Sequence, residues 1–136
     1  MIHLKAVDLK KQKIDTLIVP VCEDKKIHDD RLIEGVIKKA LELKEFKGEK
    51  GDQVTLYDFK GLATERIICA GLGKFEKIDP EALRAFCGAA VSRCMRAGFE
   101  KIWFAVPAAE KLKMEMPDVV EAMMEGACLG NHVFGK

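Results

Sequence analysis

Ile67-Ile68-Cys69-Ala70-Gly71-Leu72-Gly73-Lys74 is an apolar run that ends in two glycines, and Asp79-Pro80-Glu81-Ala82-Leu83-Arg84 follows it closely. The run, from Arg66 to Ala70, has the length and composition of a strand covered on both faces. Asp79 is an N-cap residue, and Pro80 sits at the first helical position, where its missing donor does no harm. From there Leu83, Phe86, Cys87, Ala90, Val91, Cys94 and Met95 recur at the spacing of one helical face, and Gly98 is placed to stop the helix. The small residues Gly88, Ala89 and Ala90 predict that this helix lies close against a sheet. Ile102 to Val106 is apolar throughout and is ended by Pro107, so the order from Ile67 through Ile102 is strand, helix, strand. That βαβ unit makes the chain α/β.

Upstream, Val54, Leu56, Tyr57 and Phe59 describe a strand that turns at Lys60 and Gly61 and returns as Arg66 to Ala70. So short a connection forces the two to run antiparallel, and the sheet is therefore mixed. Leu32, Ile33, Val36, Ile37, Ala40, Leu41 and the stem of Lys44 form the stripe of an amphipathic helix from Arg31 to Phe46, capped by Asp29 or Asp30. Thr16 to Val21 is a second buried strand, rich in branched residues. Ile2 to Val7 alternates apolar and polar side chains, as an edge strand does, and Lys10 to Lys13 is a charged turn. Pro117 and Asp118 open a last helix with Val119, Val120, Met123, Met124, Ala127 and Cys128 on one side. The expected architecture is a three-layer α/β fold with a mixed sheet of about five to six strands flanked by helices. Without an internal repeat or linker, residues 1–136 are expected to form a single domain.

The 136 residues carry 23 basic and 22 acidic side chains, a formal charge of +1, which gives no pull toward nucleic acid or anionic lipid. Nucleic acid is therefore not an expected partner. No apolar stretch approaches the roughly 20 residues of a membrane span, and the first residues are too polar for a secretory signal. The five cysteines are odd in number and widely spaced, without a Cys-x-x-Cys pair. Reduced thiols in a cytoplasmic protein are the expectation.

Candidate chemistry is sparse. Gly71, Gly73 and Lys74 follow a buried strand, where backbone amides and an ammonium group suit an anion. The third glycine of a dinucleotide fingerprint is absent, and Phe75 stands where a nucleotide-hydrolase loop has Ser or Thr. Glycine dihedrals for a turn are the simpler role. His3, His28 and His132 include no i, i+4 pair; His28 beside Asp29 and Asp30 resembles a fragment of a hard-metal site, but helix capping accounts for those carboxylates. Cys87 and Cys94 fall on the apolar face of their helix, whereas Cys22 ends a buried strand where α/β sites form. Ser92, the one serine, is mid-helix, which removes Ser-His-Asp hydrolysis. Met114, Met116, Met123 and Met124 are adaptable packing or a partner surface. No catalytic residue and no metal ligand is assigned within the chain.

The run from Ile67 to Lys74 and the segment from Asp79 to Arg84 with its alanine-rich helix resemble the N-terminal domain of the cytosolic leucyl aminopeptidases, the M17 metallopeptidases. Asp15 to Pro20 resembles that domain's early buried strand. Glu125-Gly126-Ala127-Cys128-Leu129-Gly130, with Phe134 and Lys136, resembles its last helix. His132 departs from the tyrosine that the family tends to have. The resemblance implies a macro-domain-like fold and a non-catalytic role, with the chemistry in a separate C-terminal domain that lies outside this chain. There two divalent metal ions, zinc or manganese, would activate water against an N-terminal peptide bond. It further implies association with that catalytic domain and with other subunits of a homohexamer, peptide substrates for the parent enzyme, and control of access to its active sites. The apolar end at Val133 and Phe134 is read as a domain boundary. The alternative is a free-standing macro-like domain that binds a nucleotide or ADP-ribose.

Overall fold

In a computed structural model, residues 11, 13–99 and 101–135 are described, with side chains described as far as residue 128. Four strands form one sheet: β1 (Ile14–Cys22), β2 (Gln53–Tyr57), β3 (Thr64–Gly73) and β4 (Ile102–Phe104). Their spatial order is β2-β3-β1-β4. β1 runs parallel to both β3 and β4, and β2 is antiparallel to β3. The mixed sheet is therefore as the short connection required. The described strands are fewer than the five to six expected, and the expected strand Ile2–Val7 lies outside the described residues.

The alternation of side chains along β1 and β3 separates two cores. Leu17, Val19 and Val21 join Ile67 and Cys69 under α1 (Arg31–Leu41), which contributes Ile33, Val36 and Ala40. On the opposite face Ile18 and Ile68 meet Ala90 and Cys94 of α2 (Pro80–Arg96). α2 also packs with a short α3 (Ala109–Leu112) and with α4 (Met116–Gly135) in a cluster that holds Leu83, Cys87, Val119 and Met123. This gives three layers, with α1 on one side and α2 and α4 on the other. Among the described residues no helix is long and apolar enough to cross a membrane.

Helix starts follow local chemistry. The Asp30 carboxylate accepts from the amides of Leu32 and Ile33, and that of Asp79 from Ala82. These are the N-cap bonds that offset otherwise orphaned donors.

Tertiary contacts overrule the local pattern in several places. α1 ends at Leu41 rather than Phe46, since the amides of Glu42 and Leu43 bond three residues back and the chain turns to bury Phe46 at 1% exposure. Leu41 is left 46% exposed, off the buried stripe. β3 continues through Gly71 and Gly73, which the sequence placed in a turn after the strand, because the segment 48–52 extends its pairing. β4 stops at Phe104 instead of Val106, and α3 was not foreseen. Gly88 does not serve the approach to the sheet; a Cβ there would lie 3.2 Å from the carbonyl oxygen of Gly126 in α4. Cys128 is exposed rather than on the apolar side of α4.

Candidate functional site

Parallel α/β sheets bind ligands beyond the carboxyl ends of adjacent strands whose connections leave on opposite faces. Here those strands are β1, which continues into α1, and β3, which continues into α2. The crevice lies between the segments 23–30 and 74–79, and Gly71, Gly73, Lys74, Cys22 and His28 all fall around it.

The chain's own groups bridge that crevice. The amide of Glu23 donates to the Gly73 carbonyl at 2.8 Å, and the amide of Phe75 donates to Asp24 Oδ1 at 2.9 Å. Lys74 Nζ lies 3.5 Å from Glu23 Oε2, and Lys25 Nζ sits 4.3 Å from the centroid of the Phe75 ring. On the far side of β3 the amide of Gly71 donates to the Asp52 carbonyl at 2.9 Å, and that of Gly73 to the Gly48 carbonyl at 3.0 Å. The two glycine amides and the Lys74 ammonium, brought together as an anion cradle would need, thus have acceptors within the chain. The Phe75 amide holds the Asp24 carboxyl below the usual carboxylate range, with the Cys22 thiol and the Lys74 charge adding to the effect.

Cys22 is 6% exposed, and its Sγ donates to Asp24 Oδ1 at 3.4 Å. Burial pushes its thiol pKa up, opposite to the shift of an activated nucleophile. Burial likewise takes Cys69 and Cys87 up to about 12, and Cys94 is raised in the same direction. Sharing the segment 23–27 with the crevice, a groove of about 870 Å3 runs between the segment 22–27 and α1, lined also by Val21, Ile37, Lys38, Leu41 and Glu42.

His28 is 2% exposed, and its Nε2 lies 2.7 Å from the Pro20 carbonyl oxygen. An oxygen that can only accept fixes the proton on Nε2. Burial lowers the pKa of His28 below its ordinary 6.5, against opposing pulls from the Pro20 carbonyl, Glu34, Asp29 and Asp30. The unfolded chain is therefore protonated first. The stability contributed by the neutral ring is complete above the unfolded value and is lost as the pH falls from about 6.5 through the folded value, with a slope of at most about 1.4 kcal/mol per pH unit. Urea midpoints between pH 7.5 and 5 should fall in the native chain and fall less in His28→Gln; equal slopes would assign the loss to other groups.

A second polar cluster, missed in the sequence, lies at the other end of the sheet. The Arg66 guanidinium stacks 3.7 Å from the centroid of Phe99, donates to Thr16 Oγ1 at 2.9 Å and lies 3.6 Å from Asp15 Oδ1. The register Thr16↔Arg66 makes the contact, and no local spacing links residues so far apart.

The two-metal centre that the resemblance implies needs clustered carboxylates or imidazoles. Among the described residues no group of three or more His, Cys, Asp or Glu side chains is placed to hold an ion. His28 Nε2 is committed to Pro20, and the side chain of His132 is outside the described set. These residues do not fit such a centre.

A mixed sheet between one helix and a helical pair, with a bridged crevice, defines a macrodomain-like α/β fold. The structure is similar to the macrodomain of Mycobacterium tuberculosis DarG, with a TM-score of 0.58 over 93% of this chain and 89% of that one. At 11% identity the likeness concerns the fold alone. Residues 9–136 match the N-terminal domain of the cytosol aminopeptidase family, and the chain belongs to that family. It is 28% identical over 127 residues to a probable cytosol aminopeptidase of Desulfovibrio desulfuricans, covering 90% of this chain and 25% of the relative. It is 31% identical over 132 residues to a probable cytosol aminopeptidase of Aquifex aeolicus, covering 95% and 26%. The chain thus spans about a quarter of the length of the curated relatives it matches.

Proposed function

We propose that this chain serves as the non-catalytic N-terminal domain of a cytoplasmic, metal-dependent leucyl aminopeptidase that releases N-terminal amino acids from peptides. The observation that carries the reading is the match of residues 9–136 to that N-terminal domain, together with relatives that are about four times as long and are named for the activity. In this reading the two divalent ions, zinc or manganese, belong to the catalytic domain, and the present residues contribute to assembly of a homohexamer and to access to its enclosed active sites. The committed amides of Gly71 and Gly73 support a role in architecture over one in ligand binding. They also give no support to a free-standing nucleotide or ADP-ribose binder.

The purified chain is expected to leave leucyl p-nitroanilide intact with manganese or zinc added. An antibody against the domain should detect, in source-cell lysate, a band several times heavier than 15.2 kDa. Turnover by the chain alone, or a band at its own mass, would overturn the reading.

A further inference from the structure

The segment 23–26 crosses the mouth of the crevice between two fixed ends. Cys22 is buried at the close of β1, and beyond the span Ile27 and His28 are buried as well. The Ile27 carbonyl accepts from the amide of Ala108 at 2.8 Å, and His28 is held by Nε2 on the Pro20 carbonyl. Between these anchors Asp24, Lys25 and Lys26 are exposed.

Contacts on the two sides of the span are unequal. Toward β3 and the turn after it lie the bonds from the Glu23 amide to Gly73 and from the Phe75 amide to Asp24, the Glu23–Lys74 pair, and the Lys25 ammonium over the Phe75 ring. The Asp24 bond is the strong one among them, because its acceptor is ionised. Toward α1 the span borders the groove of about 870 Å3, crossed by an ion pair of Lys26 Nζ with Glu34 Oε1 at 3.5 Å. With Lys26 largely exposed, that pair holds little. The span thus has firm bonds on one side and room on the other.

We propose that residues 23–26 are a strap with two positions, one bolted across the crevice by Asp24 and one swung into the groove beside α1. Opening breaks the Asp24–Phe75 and Glu23–Gly73 bonds, while the anchors at Ile27 and His28 stay. It uncovers the Phe75 amide and the Lys74 ammonium where α/β sheets take their ligands. The bonds from the Gly71 and Gly73 amides to the segment 48–52 are untouched, so the opening is local and is not a step of unfolding. The strap goes beyond the architectural role proposed above and does not depend on the aminopeptidase reading.

Amide hydrogen exchange, followed residue by residue by NMR, tests it. The Glu23 amide is bonded while the strap is closed, and Asp24→Ala leaves both side chains that flank this amide, Cys22 and Glu23 itself, unchanged. Its exchange should quicken at least about tenfold in Asp24→Ala, as expected for loss of a hydrogen bond to a charged group. The amides of Gly73 and Ala108, which bond outside the strap's moving residues, should keep their native rates. Leu41→Trp, at an exposed position lining the groove, should fill the space the strap swings into and slow Glu23 exchange in both backgrounds. Equal Glu23 rates with and without Asp24, exchange of Gly73 or Ala108 that rises in step with Glu23, or no slowing by Leu41→Trp would overturn the strap.

Discussion

Gly71→Ala is expected to destabilise the chain by about 3 kcal/mol or more, the upper end of the range for atoms forced into filled space. A Cβ at this position would lie 2.0 Å from the carbonyl oxygen of Glu49 and 2.5 Å from the carbonyl carbon and oxygen of Gly48. All three are backbone atoms, so no side-chain rotation relieves the overlap. The segment 48–52 must then move, which loosens the bonds from the Gly71 amide to Asp52 and from the Gly73 amide to Gly48, each worth about 1 kcal/mol net. Gly51→Ala is the control: nothing lies within 4 Å of its Cβ, and its φ of 96° costs only about 1–2 kcal/mol of dihedral strain. Urea denaturation of the two variants should rank them in that order. Equal losses would mean that the contact at Gly71 contributes nothing beyond its dihedrals.

Gly126→Ala is the second large effect. Mid-helix alanine is ordinarily favoured over glycine by about 1 kcal/mol. Here a Cβ would sit 2.1 Å from the carbonyl oxygen of Arg84 and 2.9 Å from its Cα, where α4 crosses α2. The helices must separate around Leu83, Cys87, Val119 and Met123, the centre of their shared core. An overpacking cost of about 3 kcal/mol against that gain leaves a net loss of about 2 kcal/mol. Gly88→Ala, whose Cβ meets the Gly126 carbonyl oxygen at 3.2 Å, asks for a shift of only a few tenths of an ångström and should come out near neutral. Thermal unfolding of the pair checks the contrast, and a stabilised Gly126→Ala would refute it. Arg84 also bonds Glu125 through Nε at 2.9 Å, so the close approach and an exposed ion pair coincide. The ion pair adds little by comparison.

Much of the scaffold was legible because its signals are local. Asp79-Pro80 announced α2, the branched residues after Thr16 announced β1, and the tight turn at Gly61 made the sheet mixed. What escaped the sequence depends on neighbours far along the chain. Gly71 and Gly73 look like a turn until the segment 48–52 is seen to lie against them. Gly88 looks like a concession to the sheet until Gly126 is seen across from it. The bridge from Asp24 to Phe75 and the bond from Arg66 to Thr16 follow from the register of β1 on β3, which periodicity does not encode. Leu41 has the period of a buried residue, yet the turn that brings Phe46 home leaves it outside. The family resemblance rested on the order of several loose motifs, which tolerates such local errors, and the match over residues 9–136 agrees with it.

β1 lies at the centre of the sheet, and both of its partners come late in the sequence: Ile14 pairs with Thr64, and Thr16 pairs with Ile102. Loop closure over such spans precedes any reward from contact, so the order of assembly is set by topology. Among the described residues the hairpin of β2 and β3 is the sole strand pairing that can form from nearby residues. During synthesis β1 must wait for its first partner until β3 has emerged, and for its second until the chain has grown past Phe104. The most buried strand of the finished molecule is thus the one longest at risk of aggregation while it is being made.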